Sequence, residues 1–179
     1  LLRLFQAEPE IMGLTALLLL QHARAAARFD AAGDVILLED QDRSLWSARN
    51  IAEGLALIDK AMRHRRPGAY QVQAAIAALH ARAARFEDTD WGQIDHLYAT
   101  LEIMTPSPVI TLNRAVAVSK VRGAQAALEG ATKEIDNLLT VGRTVIDARP
   151  ECEWNRIIKH LDAARAAIAK ARHTPQEVI

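Results

Sequence analysis

Two stretches of the chain share one layout, and this layout limits the possible folds more than any other feature. Residues 51–81 and 93–123 each begin with an amphipathic helical segment, pass through a proline-containing turn and end in a segment of small and aliphatic side chains. Alanine makes up roughly a fifth of the chain and aromatic residues only 4%, and small side chains let neighbouring helices approach closely. Because one helical hairpin cannot bury its apolar face alone, we expect these hairpins to stack.

The repeated layout predicts an all-α fold of stacked antiparallel helical hairpins, in a right-handed array of the tetratricopeptide-like kind. The offset between Ile51 and Ile94 exceeds the usual repeat of about 34 residues, and we interpret Phe86–Trp91 as an inserted loop. Residues 1–130 are predicted to form the repeat domain. Residues 131–179 are predicted to add C-terminal helices that cap it and a mobile tail.

Capping signals and prolines place the individual helices. Asp42 is the predicted N-cap of one helix, Ser107 of another, and Gly123 ends the latter where a left-handed residue is favoured. Asp30–Asp34 is predicted as a turn, followed by Val35–Leu38 as an extended strip or a buried loop. The predicted helices, after a first one that ends near Ala7, are Pro9–Phe29, Arg43–His64, Ala69–Arg85, Trp91 to about Met104, Pro108–Arg122, Ala131–Ala148 and Glu153–Arg172.

Composition excludes several classes of protein. Lys and Arg number 22 and Asp and Glu 22, so the formal net charge is zero, whereas a nucleic-acid-binding domain normally carries a basic excess. The longest apolar stretch, Leu14–Leu20, is much shorter than the roughly 20 residues that span a bilayer, and no signal-peptide pattern is present. The single cysteine, Cys152, fits a reducing compartment. We therefore expect a cytoplasmic protein without membrane contact, and, because the chain begins at Leu1 inside a helical pattern, further sequence upstream.

The densest polar cluster is "LEDQDRSLW", residues 38–46, which contains three carboxylates. Paired carboxylates can bind a metal or act as acid and base. The favoured interpretation is a helix cap at Asp42 with salt bridges to Arg24 or Arg28, because caps are common and the spacing is not that of a calcium loop. The second acidic loop, "FEDTDW", is predicted to start a helix, with Trp91 anchoring the loop against the core.

Asn113 and Arg114 interrupt an otherwise aliphatic helix. Adjacent helical residues point about 100° apart, so both cannot face the core. A buried arginine needs a partner, and one of these side chains is predicted to reach an acidic loop, at Asp90 or Asp42.

The remaining candidates for chemistry point to no reaction. His22 and His80 are isolated histidines, which are usually surface or hydrogen-bonded residues. Cys152 lacks the surroundings of a catalytic thiol. The sequence contains no glycine-rich phosphate loop, no serine elbow and no kinase motif. We expect no catalytic activity, no cofactor and no metal.

Long ordered strings of the chain carry a family resemblance: "EDQDRSLW", "AYQVQAAIAALHA", "DTDW", "PSPV" and "LNRAVAV". From Ala7 to about Gly130 the sequence resembles the C-terminal tetratricopeptide-like extension of one group of bacterial extracytoplasmic-function RNA polymerase sigma factors. The resemblance implies a regulatory module of a transcription initiation factor, whose polymerase-binding and promoter-binding regions lie upstream of Leu1.

The resemblance also implies partners and a set of characteristic positions. The partners are the sigma regions of the same full-length protein, core RNA polymerase or a regulatory protein, and promoter DNA is contacted only through the upstream regions. The characteristic positions, here called the signature residues, either bind a partner or hold the helices, and we favour the second role. They are Asp40, Gln41, Asp42, Arg43, Trp46, Asp90, Trp91, Asn113 and Arg114.

Two other hypotheses remain open from the sequence. One is an enzyme or small-ligand receptor with a polar pocket formed by Arg28, Asp42, His80 and Arg114. The other is a structural module whose function is to form a dimer.

Overall fold

Helices account for the regular structure in the described part of the chain. A computed structural model describes residues 8–148, without the side chains of residues 133–135, 138 and 141–148. Within residues 8–148 there is no β-strand, although Phe29 and Val35 form an isolated bridge. The α-helices of this part are α1 (Pro9–His22), α2 (Ala48–Met62), α3 (Ala69–Arg82), α4 (Trp91–Met104), α5 (Pro108–Arg122) and α6 (Ala124–Ala148). The predicted all-α class is confirmed, and the hand of the array stays a prediction.

The chain divides into two compact units, Leu1–Pro106 and Ser107–Ile179. In the first unit, α1 packs against both α2 and α3, α2 contacts α3, and α3 packs against α4. In the second unit, α5 packs against α6. The predicted hairpin of α2 and α3 therefore has α1 as a third helix packed on both of its arms.

Small side chains let three helices meet in the first unit. Met12, Ala16 and Leu20 lie four residues apart along one face of α1, and all three are buried. Ala16 forms a buried cluster with Ile58 of α2 and Ala74 of α3. The high alanine content is thus used where helix axes come close.

α1 and α3 are joined at one end by a close approach and a cap. A Cβ atom added to Gly13 would lie 2.8 Å from the backbone nitrogen of Gln71, so only glycine fits there. The Glu10 carboxylate accepts from the backbone N–H groups of Tyr70, at 2.6 Å, and Gln71, at 3.3 Å. The N–H groups at the start of a helix have no partner within the helix, so the Glu10 carboxylate satisfies two of those of α3. A Cβ atom on Gly68 would overlap this carboxylate.

The region between α1 and α2 differs from the prediction. α1 ends at His22 rather than Phe29, and a 3₁₀ turn, Ala25–Ala27, follows it. The turn predicted at Asp30–Asp34 is present, with the Asp30 N–H donating to the Asp34 carbonyl at 3.0 Å. The following segment is not a buried loop, because Val35 is 67% exposed.

Asp42 caps a shorter element than predicted. Its carboxylate accepts from the Ser44 N–H at 2.8 Å and starts a 3₁₀ turn, Arg43–Leu45, instead of a long helix. The backbone of Ser47 donates to the Ala23 carbonyl at 2.9 Å, which holds the chain extended there. Ser47 is therefore the N-cap of α2, accepting from Asn50, and α2 ends at Met62 rather than His64.

The later helices agree more closely with their predicted bounds. α4 and α5 span the predicted residues, and Gly123 adopts a φ of 87° as expected. Ser107 is the N-cap of α5, but its side chain makes no capping hydrogen bond. α3 ends at Arg82 instead of Arg85, since the chain then turns into the loop that precedes α4.

α6 begins at Ala124 rather than Ala131 and continues through Gly130. The predicted division of the chain at residue 130 stays a prediction. The helix ending near Ala7, the helix Glu153–Arg172, Cys152 and the C-terminal tail lie outside the described residues.

Candidate functional site

The loop that carries the first signature residues closes on itself through Gln41. This side chain is only 9% exposed, and its amide donates to the Ile36 carbonyl at 3.0 Å. Asp40 is exposed, and its backbone N–H donates to Leu37. Hydrogen bonds from Ser44 lower the pKa of Asp42, as expected for a carboxylate that acts as a cap. The three residues shape the loop.

Arg43 joins this loop to the end of α3. Its Nη1 donates to the carbonyls of His80, at 2.8 Å, and Ala83, at 2.9 Å. The last carbonyls of a helix have no partner within the helix and carry partial negative charge, so a guanidinium satisfies and stabilises them. The same guanidinium lies over Trp46, 4.4 Å from the ring centroid, and Arg24 lies 5.9 Å from it.

His80 lies between this cationic cluster and an aromatic one. Its ring centroid is 5.2 Å from that of Trp91 in an edge arrangement. Burial, and then the positive charges of Arg24 and Arg43, lower the pKa of His80 to about 4. The imidazole is therefore neutral near pH 7. Its Nδ1 has no hydrogen-bond partner among the described residues, whereas an acid–base site needs a bonded carboxylate or nucleophile. His80 is thus half-buried rather than a surface residue, and His22 is exposed as expected.

The second acidic loop is held by aromatic packing, as predicted. Phe86 and Trp91 pack edge to face with their centroids 5.2 Å apart. Asp90 accepts from the Gln93 N–H at 2.9 Å and caps α4, and Arg85 pairs with Asp88 at 2.8 Å. Trp91 thus anchors the loop to α3 through the His80 ring.

Asn113 and Arg114 lie on α5, in the second unit. Asn113 is exposed and Arg114 is half-buried, so the two neighbours point differently, as expected. The contact predicted between one of them and an acidic loop stays a prediction.

Two other expectations concern the salt bridges of Arg24 and Arg28 and the polar pocket. Arg24 donates to the side-chain oxygen of Gln21 at 2.6 Å, and the salt bridges predicted from residues 39–42 to Arg24 or Arg28 stay a prediction. Within the first unit, no hydrogen bond or ion pair among described residues joins Arg28, Asp42 and His80, which the pocket hypothesis grouped together. The structure gives that hypothesis no support.

A groove on the first unit is the feature that the sequence did not reveal. It has a volume of about 280 Å³ and lies where the end of α2, the start of α3 and the middle of α4 meet. Arg65 and Arg66 line it together with Gln71 and Thr100. The apolar lining residues are Met62, Pro67, Val72, Ala75 and Leu97.

The pattern of residues 65–68 indicates only a proline-containing turn that ends a helix, so it does not reveal the groove. The run "RHRR" directly after an amphipathic helix was the available signal, since consecutive basic residues at a turn form a charged surface patch. Its position beside Leu97 of α4 depends on packing between distant segments.

No group of three or more His, Cys, Asp or Glu side chains within the described range is arranged to hold a metal ion. None of the described helices is both long enough and apolar enough to cross a membrane.

Comparison with known proteins finds relatives without an assigned activity. Residues 1–62 match the model of DUF6596, a family of unknown function. The chain is similar to an uncharacterized protein of Rhizobium meliloti (strain 1021), with 75% identity over 128 residues, which are 72% of this chain and 30% of that protein. The chain thus spans less than a third of the length of this curated relative. No solved structure matches the chain.

Proposed function

We propose that this chain is a non-catalytic protein-interaction domain that regulates an RNA polymerase sigma factor of the extracytoplasmic-function type. The proposal rests on the resemblance of residues 7–130 to the C-terminal extension of such factors. The described structure supports the interaction role through one observation: Asp42, Arg43 and Asp90 direct side-chain hydrogen bonds to backbone groups of the chain itself.

Arg43 is the clearest case. Its Nη1 donates two hydrogen bonds to the end of α3, and its guanidinium lies over the buried Trp46 ring. A catalytic arginine would instead direct donors toward a substrate position in a cleft. Asp42 and Asp90 likewise accept from backbone N–H groups of the turn or helix that they start. Residues committed to holding loops against helices give a rigid surface for binding.

The relative from Rhizobium meliloti is also consistent with a module of a larger protein, because the matched residues make up only 30% of its length. In a sigma factor, the remaining length would contain the polymerase-binding and promoter-binding regions. The formal net charge of zero fits a segment that does not itself bind DNA.

The test is reconstituted transcription with the full-length natural protein and core RNA polymerase. We expect the full-length protein to bind core polymerase and start transcription at its promoter, and deletion of residues 8–148 to change the initiation rate. Full-length protein carrying Arg43→Ala should show the same change, because the substitution frees the 36–46 loop, whereas Arg49→Ala, on an exposed surface of α2, should behave as wild type.

Two results would reject the proposal. One is a full-length protein that does not associate with core polymerase. The other is transcription and protein contacts that are unchanged by the deletion.

A further inference from the structure

We propose that the groove bounded by α2, α3 and α4 binds an acidic peptide segment through one or two apolar anchor side chains. The groove combines a floor of aliphatic side chains with two arginines at its edge. Apolar anchors supply affinity and flanking charges supply orientation in this type of recognition. Its volume of about 280 Å³ is near the lower limit for ligand pockets, which fits a few side chains rather than a folded domain.

Among the described residues, no ion pair neutralises the arginines at the groove, and the Glu10 carboxylate beside the groove is bound to Gln71 and to the start of α3. Arg63, Arg65 and Arg66 are all exposed, and none of them forms an ion pair with any described residue. The chain as a whole has a formal net charge of zero, so this run is a local concentration of positive charge. Carboxylates are its complement, and a basic partner would be repelled.

The backbone at Arg65 adds an independent observation. Its φ is 52°, and Arg65 is the non-glycine residue with positive φ in the described part of the chain. Glycine or asparagine normally occupies such a position after a helix, because a larger side chain is strained there. An arginine in a strained conformation, with its side chain lining a groove, is typical of a residue that functions in binding.

The apolar surface extends beyond the groove along α4. Leu97 lines the groove, and Met104 lies seven residues further on the same helix, roughly 10 Å away, with 38% exposure. Ile103 is 85% exposed and Met62, at the end of α2, is 62% exposed. A strip of this length suits a peptide of several residues better than a single phosphate or a small carboxylic acid. The aliphatic floor offers nothing specific to a nucleic acid, whose affinity comes from its phosphates.

This inference rests on the proposed interaction role but not on the sigma-factor assignment. Direct binding measured on the isolated chain therefore fails or succeeds separately from the transcription experiment.

The test uses the chain of residues 1–179 and fluorescence anisotropy. The probe is a fluorescein-labelled peptide of glutamate and alanine with two leucines four residues apart, which lie on one face of a helix. Competitors are the same peptide with serine for leucine, the same peptide with lysine for glutamate, and a single-stranded oligonucleotide. We expect saturable binding by the glutamate–leucine peptide, weakened by added salt, and little competition from the other three.

Variants locate the binding at the groove. Arg66→Glu should weaken binding by about tenfold and Arg65→Gly by about threefold, while Met62→Ser should weaken it without changing its salt dependence. Arg65→Gly should also leave the thermal unfolding temperature unchanged or raised, because glycine relieves the positive φ. The matched control is Arg49→Glu, which makes the same charge change about 20 Å away at the other end of α2 and should bind as wild type.

Several outcomes would overturn the proposal. They are absence of saturable peptide binding, equal binding of the serine or lysine peptide, displacement of the peptide by the oligonucleotide at equal concentration, and unchanged affinity of the Arg66→Glu variant.

Discussion

Replacing Gly13 by alanine should destabilise the first unit, although the same change inside an exposed helix normally has the opposite effect. A Cβ atom at this position would lie 2.7 Å from Gln71 Cγ, 2.8 Å from its backbone nitrogen and 2.9 Å from its Cα. All three distances are under 3.0 Å, a separation that Cβ atoms essentially never show. Two of the three atoms belong to the backbone of α3, so a change of side-chain rotamer cannot relieve the overlap.

The expected magnitude follows from two opposing contributions. Alanine in a helix interior is more favourable than glycine by about 1 kcal/mol. Forcing an extra methyl group into a packed contact costs about 1–3 kcal/mol, and here the upper part of that range applies because α1 and α3 must move apart. Separation would also stretch the hydrogen bonds from the start of α3 to Glu10. We expect a net loss of about 1–2 kcal/mol in the free energy of unfolding.

Urea and thermal unfolding, followed by circular dichroism, measure this loss. For a unit of roughly 100 residues, such as Leu1–Pro106, each 1 kcal/mol of lost stability lowers the unfolding temperature by about 4–8 °C. The control is Gly92→Ala in the first turn of α4, where an added Cβ atom would meet only Asp90 Oδ1, at 3.5 Å. That variant should unfold within about 0.5 kcal/mol of wild type. If Gly13→Ala were as stable as Gly92→Ala, the close approach of α1 to α3 would be refuted.

Three further predictions concern the contacts between segments. Arg43→Lys should lower the free energy of unfolding by about 0.5–2 kcal/mol, because the strongly hydrated ammonium of lysine cannot stack on Trp46 as the planar guanidinium does. Arg49→Lys should leave this free energy unchanged, and equal urea midpoints for the two variants would contradict the prediction. Glu10→Ala should lower the free energy of unfolding by about 1–3 kcal/mol and accelerate hydrogen exchange at the Tyr70 amide. Unchanged exchange would contradict the capping of α3 by Glu10. The pKa of His80, lowered from 6.5 to about 4, predicts that the unfolded state binds a proton first as the pH falls. Stability should therefore be lost between pH 6.5 and 4, by roughly 3 kcal/mol when complete, and this loss should disappear in His80→Gln when urea unfolding is followed across that range.

Local sequence signals were sufficient to predict the bounds of a helix where a residue at its own end sets them. α4 starts at the cap formed by Asp90, and α5 ends at Gly123, whose φ of 87° suits glycine. Both determinants lie within a few residues of the helix that they limit. Their bounds were therefore predictable from the sequence.

The start of α2 was not predictable in the same way. Asp42 and Ser47 are both good cap residues, and a sequence pattern does not rank them. The choice depends on the hydrogen bond from Ser47 to the Ala23 carbonyl, at 2.9 Å. That contact joins residues on either side of an exposed loop, so only the folded chain decides it.

The candidate site shows the same limit. The family resemblance placed Arg43 and Trp91 among the signature residues. The preference of aspartate for helix N-caps indicated a structural role for the two acidic loops. The partners of Arg43, the carbonyls of His80 and Ala83, lie 37 and 40 residues away in the chain, and no local pattern specifies them.

The amino-acid sequence by itself determined the helical class, the capping residues of several helices and the absence of a bulk charge suited to nucleic acids. These properties follow from periodicity, backbone preference and composition. Periodicity and backbone preference involve a few neighbouring residues, and composition sums over the whole chain, so none of them depends on the tertiary fold. The tertiary structure alone decided which carbonyls receive the Arg43 guanidinium, why residue 13 must be glycine, and that Met62, Arg66 and Leu97 line one groove. Burial and long-range hydrogen bonding exist only after distant segments have approached, and the approach is set by the packing of the three-helix core.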